Sequence, residues 1–314
     1  MQMLSIVTFI HGREVFSEDF TALCAALTRA GYEVDPIVLC DQRGGEKFPA
    51  SCRCHVTPGT TKYARILFAL EHARSDLVFF IDNDITPDVE AFASFAGACI
   101  AAGCAAGWGR IGSTPAPGAV PGMIRADKRL SHDLIRPLLW KTRTGISIPG
   151  QIFMLDRIQT GKLLGRQDTV FDDLTIGAAI RGQHLPILSS GAVLGRERPC
   201  RTMGELICQR RRWARGFSQV LVSSRGHRVF PLVILHGLAY HFLWIPFWAV
   251  SLFLLIWAPV PALMLLAAVI LWLARFTVRE LPWAVLYLAL FPGVHCIWSA
   301  TLIRECCAPA DHRT

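Results

Sequence analysis

Between Val229 and Ala274, 46 residues, the chain carries no Asp, Glu, Lys or Arg, and Leu281–Ile303 is a second such run of 23. A helix crossing a bilayer needs roughly 20 apolar residues. The first run is long enough for two spans, with "WAPVP" (257–261) as the break, and the second fits one. The alternative is a buried helical pair in a soluble protein, and core helices rarely lack charge for so long. Charged residues make up 18% of the chain, against about 25% in a typical soluble domain. A soluble part joined to a membrane part is the organisation these numbers suggest.

Basic residues give an orientation. Arg225, His227 and Arg228 precede the first run, Arg275 and Arg279 separate the second and third spans, and the segment around Pro259 has no charge. This is the positive-inside pattern for three spans with the N-terminus inside, and it leaves the tail, 305–314, outside. "MQMLSIVTFI" has neither the basic start nor the small-residue cleavage pattern of a signal peptide, and it reads as a first strand. The part before the spans is therefore expected in the cytoplasm. The net charge is +8. Its arginines concentrate in "LGRERPCR" (194–201) and "QRRRWAR" (209–215), where anionic lipid headgroups explain them more simply than nucleic acid does. The 11 cysteines form no CxxC pair, and Cys52 and Cys54 enclose a single arginine, a poor spacing for zinc. Most are expected to be small buried residues. Cys306-Cys307, beside the last span, is a candidate for lipidation.

The first 200 residues alternate between strand and helix patterns. "LSIVTFI" (4–10), "VDPIVLCD" (34–41) and "DLVFFID" (76–82) read as strands. "SEDFTALCAALTRAGY" (17–32) and "TKYARILFALEHA" (61–73) read as helices. A further helix is expected over 86–103, capped by Thr86 with Pro87 in its first turn. Strands separated by helices imply a parallel-rich sheet covered on both faces, with ligands beyond the carboxyl ends of its strands. Asp41 and Asp82 lie at such ends. "GSTPAPGAVPG" (112–122) is expected as an irregular surface loop.

Three constellations carry chemistry. In "LVFFIDNDITPD" (77–88), Asp82 and Asp84 are i and i+2, which on extended backbone point the same way. Paired carboxylates make a hard oxygen site suited to Mg2+ or Mn2+, although turn-forming aspartates that cap the next helix fit the same residues. In "TVFDDLTIGAAIRG" (169–182), Asp172 and Asp173 open a helical pattern. Acidic residues suit a helix N-terminus, and either carboxylate could equally serve as a general base. In "QRRRW" (209–213), Gln209 and Arg212 share a helix face. A guanidinium suits diphosphate oxygens and an indole can wall a pocket. A basic interfacial helix anchored by Trp213 is the competing reading, and it fits Arg210 and Arg211 better than Arg212.

D-x-D at a strand end, an acidic pair about 90 residues later, then Q-x-x-R-W before apolar spans: over residues 4–215 this order resembles the membrane-bound family-2 glycosyltransferases. That group includes the cellulose, chitin and hyaluronan synthases, and the sequence is also similar to the ceramide glucosyltransferases. The resemblance implies an α/β GT-A nucleotide-diphospho-sugar transferase domain over 1–200. An interfacial basic region (201–228), three transmembrane helices (229–304) and the tail would follow. It implies that Asp41 and Lys62 approach the nucleotide, that Asp82 and Asp84 hold the metal and diphosphate, and that Asp173 is the catalytic base. Gln209, Arg212 and Trp213 would contact diphosphate and acceptor, and Gly150 and Gln151 in "SIPGQIF" (147–153) match an acceptor loop loosely. Position 172 is Asp where many polymerising members have Glu, and the first strand ends in "IHGRE" rather than a proline-tyrosine-asparagine turn.

The implied activity is inverting, metal-dependent transfer of a sugar from a nucleotide-sugar, expected to be a UDP-sugar, to a membrane lipid. Its expected place is a bacterial inner membrane. The alternative is a polysaccharide synthase, since "QRRRWARGFSQ" looks more like the polymerising branch. Three spans are few for a polymer channel in one chain, so that reading calls for an oligomer or a partner subunit. A catalytically dead scaffold that binds nucleotide or anionic lipid is the non-enzymatic reading.

Overall fold

The computed structural model describes residues 2–12, 14–41, 48–57, 61–165, 169 and 171–307. In chain order the elements begin β1 (Met3–Ile10), α1 (Glu18–Arg29), β2 (Glu33–Cys40), β3 (Arg53–Val56), α2 (Lys62–His72), β4 (Leu77–Asp82), β5 (Ile85–Pro87), α3 (Val89–Ala102) and β6 (Ala106–Ser113). There follow α4 (Ala119–Arg129), a π-helical stretch (Leu130–Ile135), α5 (Arg136–Lys141), β7 (Ile152–Asp156), α6 (Arg157–Gly161), α7 (Asp172–Gly182) and β8 (Ile187–Glu197). The chain then becomes helical: α8 (Met203–Ser223), α9 (Phe230–Gly237), a second π-helical stretch (Leu238–Phe242), α10 (Trp244–Trp257), α11 (Pro259–Leu273), a 3-10 turn (Val278–Glu280) and α12 (Leu281–Cys307). Two compact units result, Met1–Gly112 with Ile146–Arg198, and Ser113–Gly145 with Pro199–Thr314.

The first unit is built on a sheet of order β3-β2-β1-β4-β7-β6-β8-β5 among the described residues. The run β3-β2-β1-β4 is parallel, as the alternation of strands and helices implies. Beyond β4 the pairings of β7 with β4 and with β6 are antiparallel, as is β5 with β8. The strands at the centre are apolar on both faces because helices cover both. Leu4, Ile6, Val38 and Phe79 pack with Phe20, Leu23, Phe92 and Phe95 of α1 and α3, and all are at most 3% exposed. Asp35 is a buried polar exception on β2. It accepts from Arg53 Nε (2.7 Å), Ser5 Oγ (2.8 Å) and the Arg74 N–H (3.2 Å). Burial works against its charge, but these donors hold its carboxyl below the usual range.

Two local expectations change. Thr86 and Pro87 do not open a helix; they lie in β5, paired with Arg196 and Gly195 of β8. Asp88 is the cap of α3 instead, accepting from the Ala91 N–H at 3.1 Å. Strand pairing claims the segment up to Pro87, and the aspartate after it meets the first unsatisfied donors of the helix. The Gly/Pro-rich stretch 112–122 is also not irregular throughout, because α4 starts at Ala119 and buries Pro121 and Gly122. Of the 11 cysteines, all free, Cys24, Cys40, Cys99 and Cys104 are buried, whereas Cys54, Cys208, Cys296 and Cys307 are exposed, so most do not serve as core residues.

In the second unit α4, α8 and α12 pack around Met123, Leu206, Tyr287, Phe291 and Val294. Gly122 meets Trp283 so closely that a Cβ there would sit 2.3 Å from the indole Cγ. The apolar runs do not become three membrane-length helices. Val278–Cys307 is long and apolar enough to cross a bilayer. The first run does break at Trp257–Pro259, but it is also bent by 48° between Phe230–Phe242 and Trp244–Trp257. Pro246 is the physical reason, since it cannot donate to the carbonyl of Phe242 one turn back. α11 has 15 residues, about 22 Å of helix, against a hydrocarbon core of about 30 Å. Nor are α10 and α11 a buried pair: Ile256 and Trp257 are 76% and 74% exposed, and Phe253, Val260 and Met264 are exposed as well.

Candidate active site

Thr61 starts the site by capping α2, its hydroxyl accepting from the Ala64 N–H at 3.2 Å. That places Lys62 in the first turn of α2. Its Nζ lies 2.6 Å from Asp82 Oδ1 at the carboxyl end of β4 and 3.6 Å from Asp172 Oδ2 in the first turn of α7. It also donates to the Gly150 carbonyl at 2.7 Å. Gly150 in turn runs against Asp173, whose Cβ would be 3.2 Å from a Cβ at position 150. Five of the residues singled out by sequence, Lys62, Asp82, Gly150, Asp172 and Asp173, are thus gathered in the first unit. Gln151 belongs to the same loop. Its carbonyl accepts from the Asp82 N–H at 2.9 Å, and its side chain donates to Glu197 at 2.9 Å.

The charges in this cluster are unbalanced. One ammonium faces the carboxylates of Asp82 and Asp172, with Asp84 and Asp173 within electrostatic reach. Burial alone would lower the pKa of Lys62, but the facing carboxylates outweigh it and raise the pKa above the ordinary value. Burial pushes the Asp82 carboxyl up to about 7, with Asp84 and Asp172 adding to the rise against the pull of Lys62. Asp172 Oδ2 is buried without a hydrogen-bond partner. Asp173 does what a first-turn acid does, accepting from the Leu174 N–H at 2.8 Å.

The Asp82–Asp84 pair differs from the extended geometry expected of it. Asn83 and Asp84 form a turn between β4 and β5. Asn83 is the anchor: its amide donates to the Val15 carbonyl at 2.8 Å and accepts from the Ser17 N–H at 2.9 Å. Those two bonds bend the backbone out of the strand. Asp82 is left half-buried, and Asp84 is exposed with no partner among the described residues. Among the described residues no group of three or more His, Cys, Asp or Glu is arranged so that it could hold a metal ion by itself. The donor set nevertheless fits Mg2+ or Mn2+, which take one or two carboxylates and complete their shell with water and substrate phosphate.

Asp41 is held differently. It accepts from the Gly12 N–H at 3.0 Å, lies 3.8 Å from His11 Nδ1 and is ion-paired with Arg65. Arg65 is 1% exposed and also donates to the Ile10 carbonyl at 3.2 Å. Lys62 and Arg65, one turn apart on α2, therefore each meet an acid at a strand end. Arg65 escaped sequence reasoning, although a charged residue on the apolar face of an amphipathic helix was its visible signal.

The Q-x-x-R-W residues lie in the second unit, on α8. Arg210, expected at a lipid surface, is buried instead. It donates to Asp127 Oδ2 at 2.6 Å and stacks over Trp213 at 4.3 Å and Phe291 at 5.4 Å. Asp127 of α4 provides the countercharge that allows an arginine there. One face of the Trp213 ring is thus taken by Arg210. Gln209 is half-buried, and Arg212 is exposed with no partner among the described residues.

No family model and no curated protein matches the sequence. Solved structures do. A mannosyltransferase from Pyrobaculum calidifontis, in complex with GDP-Man and Mn2+, matches with a TM-score of 0.59 and 14% identity, covering 96% of this chain and 86% of its own. The fold is shared with a glycosyltransferase. Glucosyl-3-phosphoglycerate synthase from Mycobacterium tuberculosis, in complex with Mn2+, UDP-Glc and PGA, matches at TM-score 0.47 and 16% identity over 68% of this chain and 78% of its own. S. aureus TarS 1–349, in complex with UDP-GlcNAc, matches at TM-score 0.47 and 13% identity over 98% and 89%. At such identities the likeness concerns the fold alone, and the chemistry rests on the residues.

Proposed function

We propose that this chain is a metal-dependent glycosyltransferase that moves a sugar from a nucleoside-diphosphate sugar to a hydroxyl of a membrane lipid, with inversion at the anomeric carbon. The observation that carries this reading is the convergence of Lys62, Asp82, Asp172 and the Gly150–Asp173 contact at the carboxyl end of β4, where open α/β sheets bind ligands. Asp82 and Asp84 would hold Mg2+ or Mn2+, which supplies positive charge to the leaving diphosphate. Lys62, already protonated, adds a second cation on the same side. Asp41 contacts the base of the nucleotide, and Gly150 and Gln151 shape the acceptor side. Asp173 takes the proton of the acceptor hydroxyl as its oxygen attacks from the face opposite the leaving group. Arg212, assigned from the ordered motif, binds diphosphate, with Gln209 and Trp213 beside it.

A lipid acceptor is favoured by the exposed apolar surfaces of α10 and α11 and by the membrane-length α12. We infer that α12 anchors the protein in the bilayer and that the short α10–α11 hairpin is embedded beside it, with the sheet unit on the cytoplasmic side. The test is transfer from labelled UDP-glucose, UDP-N-acetylglucosamine, UDP-galactose and GDP-mannose on membranes carrying the protein, beside Asp173→Asn. Asp173-dependent label in the organic phase is the expected result. Label in a polymer precipitate would instead make the chain a polysaccharide synthase. Label that persists in Asp173→Asn removes the base assignment.

A further inference from the structure

The second unit contains a cavity of about 740 Å3, within the roughly 300–1,000 Å3 range of pockets that enclose an organic ligand. None of the residues assigned above lines it. Its walls are hydrocarbon and indole, among them Leu134, Trp244, Phe247, Trp272 and Phe291. Three of the polar groups on its lining residues are engaged elsewhere. The Tyr287 hydroxyl donates to Asp127 at 3.2 Å, the Trp244 indole N–H donates to the His241 carbonyl at 2.9 Å, and His295 Nδ1 lies 3.4 Å from His241 Nδ1. A ligand in this space finds little to hydrogen-bond and has to be apolar along most of its length.

Three departures from regular helix meet at this cavity. The first π-helical stretch contributes Leu130 and Leu134, and the second contributes Ala239 and Tyr240. Such stretches are rare and concentrate at functional sites. Pro292, inside α12, is the third. It lacks an N–H and deprives the carbonyl of Leu288 of its helical donor, and both residues line the cavity. Leu134, Leu243 and Val250 line it while being 45%, 49% and 50% exposed, so it opens to the surface. The two helices that supply Val250 and Leu265, α10 and α11, are free of charge and turn Phe253, Ile256 and Met264 outward. The surface around the opening is therefore apolar, and a surface of this kind favours a lipid chain over a water-borne molecule as the occupant.

We propose that this cavity binds a single hydrocarbon chain of a membrane lipid. On the transferase reading this is the chain of the acceptor, and only that clause depends on that reading. The test uses the full chain in nanodiscs of phosphatidylcholine and phosphatidylglycerol, doped with a phosphatidylcholine whose chain ends in a diazirine. After photolysis the labelled residues are mapped by peptide mass spectrometry. Label is expected on Leu130–Leu134, Ala239–Trp248 and Tyr287–His295 as well as on the outward residues Ile256 and Met264. Ala268→Trp fills the cavity from a lining position that is already exposed. It should abolish the cavity label and leave the outward label unchanged, and Ala239→Phe should do the same from the second π-helical stretch. Label confined to the outward residues, cavity label that survives both substitutions, or cross-links from the cavity to a second copy would each overturn the proposal. Labelling needs no sugar transfer, so cavity label in a protein that transfers nothing leaves the site standing and removes the acceptor clause. Transfer without cavity label removes the site, and the acceptor clause with it, and leaves the transferase reading standing.

Discussion

Lys62 shows how one side chain can organise a site. Its ammonium holds Asp82, Asp172 and the Gly150 carbonyl together, and it does so from a helix start fixed by Thr61. Asp173→Asn keeps an acceptor for the Leu174 N–H, so we expect stability to be unchanged while kcat falls by about 10^2–10^4-fold, the usual worth of a general base; a thermal melt beside the transfer rate separates the two. Asp35 offers a pH test away from the site. Its folded-state pKa is depressed, so its contribution to stability is present above the unfolded value of about 4 and is lost as pH falls through the folded value. Thermal melts of Asp35→Asn should show a lower Tm at neutral pH and a flatter acid limb than the parent. An acid limb of the same slope in both proteins would contradict this. At this scale Asp41, Lys62, Asp82 and Asp173 were legible as strand-end and helix-start residues. Arg65 was signalled only by its charge on an apolar helix face, and its partners, Asp41 and the Ile10 carbonyl, lie far away in the chain; Asn83 was not legible, because its role is two hydrogen bonds to Val15 and Ser17, which no local pattern announces.

Among the elements, α7 is placed by a glycine. A Cβ at Gly177 would lie 2.1 Å from the Ile146 carbonyl oxygen, a backbone atom that cannot move aside cheaply. Gly177→Ala should therefore push α7 and its two aspartates away from Lys62. We expect loss of transfer and a lower Tm, whereas a variant with native activity would show that α7 is held by something else. In the second unit, α4 and α8 are tied by the Asp127–Arg210 pair. Removing one partner of a buried pair costs about 3–5 kcal/mol, so Asp127→Ala should lower Tm sharply, while Arg211→Ala, at an exposed position, should stay within about 0.5 kcal/mol of the parent. Three strands of the parallel half, β1, β2 and β4, were readable because helices α1 and α2 separate them, whereas β3, which follows β2 without a helix, was not. The β5–β8 pairing and the Arg210 contact were not, since each joins residues far apart in the chain, 83 positions for Arg210 and Asp127. Arg212 and Arg210 are two residues apart in one motif, yet only the structure separates the exposed cation from the buried one.

At the scale of the molecule, an apolar C-terminal region follows a sheet unit that holds a carboxylate-rich site. The charge-free runs announced the apolar surface. They did not announce its division into a bent pair, a short helix and one long helix, because Pro246 and Pro259 act on backbone hydrogen bonds rather than on hydropathy. The protein should stay with membranes after alkaline carbonate extraction, and release into the supernatant would contradict an embedded α12. The central claim is that the carboxyl end of β4 is a metal-dependent nucleotide site. The most direct test needs no acceptor: calorimetric binding of UDP and GDP to the purified protein, with and without Mn2+, for the parent and for Asp84→Asn. Asp84 is exposed and without a partner among the described residues, so its replacement leaves the fold alone. We expect binding of one of the two nucleotides that requires Mn2+ and is lost in Asp84→Asn. No binding of either nucleotide, or binding indifferent to both Mn2+ and Asp84, would contradict the claim.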